Sequence, residues 1–412
     1  MTDNVYDVLK ERGFLAQVSD EEAVRRMLGG NPITFYIGFD STAASLHAGS
    51  LVPIMAMMYL QRAGHRPIAI VGGGTTMVGD PSGKTEMRQL LDEEAIRANG
   101  RAIHAQLNRY LHFDGGRAVA LDNADWLLPL NYIAFLRDIG VHFSVNRMLA
   151  AEAYRQRLEK GLSFIEFNYQ LLQAFDYLTL YREYGCTLQM GGDDQWGNIL
   201  AGVDLIRRVE GAEVQAMTFP LLTTAAGAKM GKTASGAVWL DTDLLSPYDF
   251  YQYWINCDDR DVERFLKLFT LLPQDEIGRL SALQGSDVRV AKQVLAYEAT
   301  RISHGEQAAR EAQATAVAVF GDAPARAELD AMPTTIVAAT RLATGLSPID
   351  LFAEVGLTRS KSDARRLMEQ GGMYVNEQRV ESLEHMLTAA DLTAHGILLR
   401  AGKKKYHRIT IA

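Results

Sequence analysis

Four short stretches carry side chains whose types and spacing suit work on an anionic or polar small molecule. The first is SLHAGSL, Ser45–Leu51, set between an apolar run and an amphipathic one. A helix N-terminus offers unpaired N–H groups and a partial positive charge, so it attracts phosphate. Gly49 allows close approach of a ligand, His47 can donate to an anion, and Ser50 is placed to cap the helix. Alone, His47 is equally an ordinary loop histidine. The second stretch is SFIEFNYQLLQAFDY, in which Ser163 and Glu166 have capping-box spacing. Tyr169, Gln173 and Asp176 then fall at i, i+4 and i+7, on one face of an otherwise apolar helix. That stripe is either a solvent face or a buried pocket that binds a polar molecule directionally. Left unpaired in a core, such groups cost about 1–3 kcal/mol each.

The third stretch is LQMGGDDQWGN, Leu188–Asn198. Its Gly pair after a strand permits close backbone approach to a flat ligand. Asp193, Asp194 and Gln195 supply groups suited to ribose hydroxyls or an ammonium, unless this is only a Gly-rich turn with an Asp N-cap. The fourth is KMGKT, Lys229–Thr233, two lysines three apart in a Gly/Ala/Ser loop. They can close over anionic oxygens and stabilise charge that develops in a transition state, or they form a solvated basic loop. Gly-Lys-Thr occurs twice, here and in VGDPSGKT, yet neither is a P-loop. That cradle needs a Gly five residues before the Gly of Gly-Lys-Thr. Val78 and Ala226 occupy those positions.

The elements that must hold these stretches are legible in outline. ITFYIGF and PIAIVGGG read as strands, and SLVPIMAMMYLQRAG as a helix that ends at Gly64 with Pro53 in its first turn. This strand–helix–strand rhythm implies a parallel, doubly wound sheet with ligands beyond the carboxyl ends of its strands. From about Ser246 the chain turns helical, GDAPARAELDAMPT reads as a linker, KSDARRLMEQGG reads as a helix, and MYVNEQRV shows β alternation around a polar break.

The 412 residues suffice for two or three cores, and no apolar run approaches the ~18–20 residues of a membrane helix. The polar N-terminus is unlike a signal peptide, and Cys186 and Cys257 match no metal or redox spacing. These features point to the cytoplasm, with no membrane partner. The net charge of −8 argues against blanket nucleic-acid binding. From Ser347 onward, however, ten Lys+Arg stand against eight Asp+Glu, a net of +2 that leaves −10 on the rest. A basic module on an acidic body suggests a localised anionic partner.

Together the four stretches resemble the class I aminoacyl-tRNA synthetases. HAGS matches the His-Ile-Gly-His signature in its first and third positions, and KMGKT matches Lys-Met-Ser-Lys-Ser, in the right order. YIGFDSTAASLHAG, GDPSGK, NYQLLQAFD, GGDDQWGN and GAVWLDTD look like the bacterial tyrosyl-tRNA synthetases, and the likeness runs along essentially the whole chain. The resemblance implies an α/β Rossmann-like doubly wound parallel-sheet catalytic domain over residues 1–245, with a dimer-interface insertion. An α-helical anticodon-binding-type domain over 246–330, a linker over 331–346 and a small α+β S4-like RNA-binding domain over 347–412 would follow. A homodimer is implied, with its interface within about residues 125–165.

The substrates implied are L-tyrosine, ATP carrying Mg2+, and tRNA(Tyr), with no protein-bound metal or organic cofactor. By the same resemblance, Tyr36 and Asp176 bracket the phenol, Asp80, Tyr169 and Gln173 hold the ammonium, and Gln195 meets the carboxylate region. Thr42 and His47 grip the ATP phosphates, while Lys84, Arg88, Lys229, Lys232 and Thr233 close on pyrophosphate. Gly192 and Asp194 meet the ribose, and Gly38, Asp40, Gly49 and Ser50 complete the nucleotide site. Arg359, Lys361, Arg365 and Arg366 face RNA, with Lys403, Lys404 and Lys405 nearby. The chain departs from the family at Ser50, which replaces the second signature histidine, at Ile37, where Cys is common, and at Asp193, where Ser is common. Two readings compete: a tryptophanyl-tRNA synthetase, against which the Tyr36/Asp176 pair and the tail speak, and a non-catalytic RNA-binding protein.

Overall fold

The computed structural model describes residues 4–82, 91–150, 152–159, 161–225, 227, 230–233, 236–320, 333–338, 341–342, 345–376, 378–380, 382, 385–388, 391–393, 396–402 and 405–411. Side chains at 152–153, 156, 232–233 and 318–320 lie outside the description. The chain forms two compact units, Met1–Glu306 and Gln307–Ala412.

The first unit is built on five strands: β1 (Thr34–Asp40), β2 (Arg66–Gly72), β3 (Val119–Asp122), β4 (Cys186–Gly192) and β5 (Gln215–Phe219). They lie side by side in the order β3-β2-β1-β4-β5, every pair parallel. β2 is buried along nearly its whole length, as expected where helices cover both faces of a sheet. The chain winds outward one way from β1 to β2 and β3, and the other way from β4 to β5. The switch therefore lies between β1 and β4, where the first turns of the outgoing helices diverge and leave a crevice.

Helix Leu51–Arg62 follows β1, with Pro53 in its first turn, and Gly64 beyond it adopts φ 97°. Ser50 occupies the N-cap position, but its side chain makes no cap hydrogen bond, contrary to expectation. His47 closes that turn instead, its Nδ1 accepting from the Gly49 N–H at 3.0 Å. The glycines after β2 form the start of a short helix, Gly73–Val78, rather than a loop. Gly73 N–H donates to Asp122 Oδ1 at 3.0 Å and Gly74 N–H to Asn123 Oδ1 at 2.8 Å, so β3 anchors that turn.

The long helix Phe164–Tyr184 begins with the Ser163/Glu166 capping box and ends at Gly185 in the left-handed region, φ 62°. Glu166 is also the buried partner of Arg157, 3.0 Å away. Burial pushes the Glu166 carboxyl up, but hydrogen bonds from Arg157 and Ser163 outweigh it and hold it below its usual value. Helices Pro247–Ile255, Val262–Phe269, Gln274–Ser281 and Val288–His304 follow, the first capped by Ser246.

The second unit has its own core, with Phe352, Leu387, Ile397, Leu399 and Ile409 fully buried. Helices Pro348–Glu354 and Lys361–Glu369 accompany a five-stranded sheet. Residues Thr334–Val337, inside the stretch read as a linker, form an edge strand of that sheet, parallel to Lys405–Ile411. This TTIV run is short but β-branched, which suits a strand.

Candidate active site

A cavity of about 1090 Å³ opens at the carboxyl ends of the strands, at the β1/β4 switch. Asp40 ends β1, Gly72 ends β2, Gly192 ends β4 and Phe219 ends β5, and all four line it. Tyr36 and Gly38 project from β1, and Thr42, His47, Gly49 and Ser50 from the segment after it. Tyr169, Gln173 and Asp176 arrive together from one face of the long helix, so the polar stripe is a pocket wall and not a solvent face. Asp80, Asp194 and Gln195 complete the polar lining.

Tyr36 and Asp176 are deeply enclosed, 2% and 4% exposed. Both carboxylate oxygens of Asp176 are held: Oδ2 accepts from Asn123 Nδ2 at 2.9 Å, and Oδ1 from the Trp126 indole N–H at 2.7 Å. Burial nevertheless dominates and pushes the Asp176 carboxyl up to about 7; the two donors oppose the shift, and the charges of Asp40 and Asp122 add to it. Tyr36 is pushed well above the usual phenol value, by burial first and by Asp176 second. Its hydroxyl has no hydrogen-bond partner among the described residues, nor have Gln173 Oε1 and Gln189 Oε1. Buried polar atoms are nearly always paired, so three such atoms around one cavity mark a place for a polar guest.

A second network lies beside it. Asp80 Oδ2 accepts from Gln195 Nε2 at 2.6 Å and Oδ1 from the Ser82 N–H at 2.9 Å. Asn198 Nδ2 joins Ser82 Oγ to Gln195 Oε1, at 3.2 and 3.3 Å. Gln195 is thus tied to Asp80 by a direct hydrogen bond. Asp40 Oδ1 takes long hydrogen bonds of 3.4 Å from Thr75 Oγ1 and from Tyr169 OH. Asp193, expected among the acceptors, turns away: its Oδ1 accepts from Gln17 Nε2 and Thr218 Oγ1, both at 2.8 Å. No Asp N-cap forms on the following helix, whose N-cap is Gln195.

The HAGS and KMGKT stretches meet. Leu46–Ala48 pairs with 238–240 through Ala48 N–H to Val238 O at 2.7 Å and Leu240 N–H to Leu46 O at 2.9 Å. Gly231 has φ 79°, and a Cβ there would lie 2.6 Å from Gly49 N. A Cβ on Gly49 would lie 2.9 Å from Met230 O. Only glycine at both positions permits this contact. Because His47 Nδ1 accepts from Gly49, a neutral ring carries its proton on Nε2. Lys84, Arg88 and Lys229 lie outside the described residues, and of Lys232 and Thr233 only the backbone, a two-residue strand, is described.

Arg359, Lys361, Arg365 and Arg366 are all exposed on the second unit, on or just before helix Lys361–Glu369. Lys361 pairs with Asp350 at 3.0 Å and Arg366 with Asp363 at 2.8 Å. Lys405 is exposed, while Lys403 and Lys404 lie outside the described residues. Asn123, Trp126, Thr75 and Gln189 were missed from the sequence. No periodicity links them to the motifs, although the NADWL turn after a strand was a visible cue. Among the described residues, no cluster of His, Cys, Asp and Glu could hold a metal ion, and no helix is long and apolar enough to cross a membrane.

Comparison with known proteins bears on both units. The family model described as tRNA synthetases class I (W and Y) matches residues 28–321, and a tyrosine–tRNA ligase SYY-like C-terminal domain model matches residues 325–409. The chain is 55% identical over 428 residues to the tyrosine–tRNA ligase of Desulfosudis oleivorans, and 53% over 408 residues to that of Acetivibrio thermocellus, each covering 99% of both chains. Among solved structures, a C-terminally truncated mitochondrial tyrosyl-tRNA synthetase of Aspergillus nidulans superposes with TM-score 0.69 at 31% identity, covering 76% of this chain and 92% of that one.

The electrostatics of the closed end make a prediction. Difference infrared spectroscopy of the full chain should show a carboxyl band that titrates near pH 7 and disappears in Asp176→Asn. Asn123→Ala should move that midpoint upward, because the amide donates to the ionised form. A midpoint near the ordinary carboxylate range would contradict this account of the site.

Proposed function

The chain belongs to the class I tRNA synthetases of the tryptophan and tyrosine group, among the tyrosine–tRNA ligases, and from that premise we propose which residues do the work. The reaction is the activation of L-tyrosine with ATP to tyrosyl-adenylate and pyrophosphate, followed by transfer of tyrosyl to the 3′-terminal adenosine of tRNA(Tyr). The single observation that carries our assignment is the closed end of the cavity. There the unpaired Tyr36 hydroxyl and the doubly held Asp176 carboxylate face one small volume.

A tyrosine phenol at that end donates to Asp176 and meets Tyr36. Asp80, Tyr169 and Gln173 take the ammonium, and Gln195 orients Asp80 and reaches the carboxylate side. The tyrosine carboxylate then attacks the α-phosphorus of ATP. An O–P bond forms, the α–β bridging bond breaks, and pyrophosphate leaves. In the second step a ribose hydroxyl of the tRNA end attacks the tyrosyl carbonyl, and AMP leaves. No enzyme nucleophile is required, and catalysis is positioning plus charge stabilisation.

Thr42 and the His47 Nε2–H face the phosphates, and Lys84, Arg88, Lys229, Lys232 and Thr233 take the leaving pyrophosphate. Magnesium enters with ATP. Gly38, Asp40, Gly49, Ser50, Gly192 and Asp194 form the nucleotide side, and Ile37 also lines the cavity there. The exposed Arg359, Lys361, Arg365 and Arg366 give the second unit, an S4-like domain in this reading, a face for the RNA backbone. The setting is the cytoplasm.

Exposed apolar side chains support a homodimer. Large apolar side chains stand exposed along residues 128–165, among them Tyr132 at 56%, Ile133 at 70%, Val141 at 70% and Phe164 at 70%. Large apolar side chains exposed in such number along one stretch favour a docking surface. Its occupant is a second copy of the chain, as the family resemblance implies for this stretch, and Phe164 opens the same helix that carries Tyr169 and Asp176. Sedimentation should give a dimer, with Ile133→Lys plus Val141→Lys shifting it to monomer. A monomeric unaltered chain would refute this.

Amino-acid-dependent ATP–pyrophosphate exchange without tRNA tests the central assignment. Tyrosine should support exchange. Phenylalanine should fall short by at least ~30-fold, the equivalent of two buried groups left unpaired at about 1 kcal/mol each. Tryptophan should give none. Arg365→Glu should leave exchange intact and weaken tRNA charging. Equal exchange with phenylalanine, or none with tyrosine from folded protein, would overturn the assignment.

A further inference from the structure

The loop that contains KMGKT is held from outside the sheet. Its base closes where Met230 N–H donates to Leu222 O at 2.9 Å. Each described flank is then tied to the helical segment that follows. On the later flank, Tyr253, from helix Pro247–Ile255, donates its hydroxyl to Met230 Sδ at 3.2 Å and accepts from Gly231 N–H at 3.4 Å. Burial pushes the Tyr253 hydroxyl up to about 12, so it keeps its proton and remains a donor. On the earlier flank, Asp261 Oδ2 accepts from Ala225 N–H at 2.8 Å. Arg264 bridges the same carboxylate, 2.6 Å from Oδ1, to Thr223 O at 2.5 Å.

Asp261 is unusual in what it leaves undone. It immediately precedes helix Val262–Phe269 with helical backbone angles, φ −91° and ψ −14°, and its side chain makes no cap hydrogen bond. The residue is 3% exposed, and its carboxylate spends its acceptors on the loop and on Arg264. The cap of the continuous helical run 259–269 is supplied instead by Asp258, whose side chain accepts from the Arg260 N–H at 3.0 Å, which leaves Asp261 for the loop. Meanwhile Leu222, Thr223 and Met230 line the cavity, and Gly231 touches Gly49. A shift of the loop by even a few tenths of an ångström is therefore felt at the His47–Gly49 turn.

We propose that Tyr253 and Asp261 are positioning residues for adenylate formation: by holding Met230, Gly231 and Ala225 they set the loop against the His47–Gly49 turn on the ATP side of the cavity. This rests on the functional reading above. Neither residue touches substrate. Their influence falls on ATP and leaves tyrosine alone, because the tyrosine end is built from β1, the long helix and the Asn123/Trp126 turn.

The test is steady-state ATP–pyrophosphate exchange on the full chain, with KM measured separately for ATP and tyrosine. The proteins are the unaltered chain, Tyr253→Phe, Met230→Leu, the double variant, and Asp261→Asn, which acts at the other flank. Tyr253→Phe and Asp261→Asn should each lower kcat/KM for ATP roughly tenfold, with the tyrosine KM unchanged within about twofold. The double variant should be no worse than Tyr253→Phe by more than about twofold, since both changes remove one contact. Unchanged ATP kinetics in both single flank variants, parallel rises in both KM values, or multiplicative losses in the double variant would each overturn the proposal. Absence of tyrosine-dependent exchange in the unaltered chain would instead overturn the functional reading.

Discussion

The arrangement around Asp176 constrains everything near it. A carboxyl group at full burial resists ionisation, and the chain offsets that resistance with two donors aimed at its two oxygens, Asn123 Nδ2 and the Trp126 indole. Both donors come from the turn after β3, so β3 must lie beside β2 to bring them there. Asn123 also receives the Gly74 N–H, which ties the first turn of helix Gly73–Val78 to the same point. Thr75 on that helix then reaches Asp40 at the end of β1. One buried charge thus fixes three strand ends relative to the long helix. The result is a cavity end that also holds three buried polar atoms, Tyr36 OH, Gln173 Oε1 and Gln189 Oε1, without partners among the described residues.

The opposite side of the cavity depends on sterics rather than charge. Gly49 and Gly231 approach so closely that a methyl group on either would meet backbone within 3 Å. This contact joins two segments far apart in sequence into one wall of the cavity. The antiparallel pairing of Leu46–Ala48 with 238–240 extends it, and the helical segment holds it from behind through Tyr253 and Asp261. The Asp176 end of the cavity is built into the sheet and long helix, whereas the Gly49 end is assembled from two loops. That division fits a reaction in which the amino acid must be recognised and pyrophosphate must be released.

Much of this was legible from local pattern. Spacing of three and four residues placed Tyr169, Gln173 and Asp176 on one face, and the capping box at Ser163 and Glu166 set where that helix begins. Alternating strands and helices gave the parallel sheet and the end of it where ligands bind. What stayed hidden was non-local. Asn123 and Trp126 reach Asp176 across about 50 residues of chain, and no periodicity encodes such a partnership. The sequence likewise gave no sign that Asp193 would turn to Thr218, or that His47 would close the turn that Ser50 was expected to cap. The strand Thr334–Val337 escaped because a four-residue edge strand inside a Pro- and Ala-rich stretch carries little signal.

If the account is right, tyrosine binding and Asp176 ionisation are coupled. Burial raises the carboxyl to about 7, and a phenol donor favours its charged form. Binding should then expel a proton where Asp176 is still protonated, and affinity should rise with pH through about 7 and level off above it. The measurement is calorimetric titration of the full chain with L-tyrosine over pH about 5.5 to 8.5, in buffers of differing ionisation enthalpy. The account predicts proton release below about pH 7 that fades above it and vanishes in Asp176→Asn. Tyrosine affinity independent of pH, with no proton released, would contradict it.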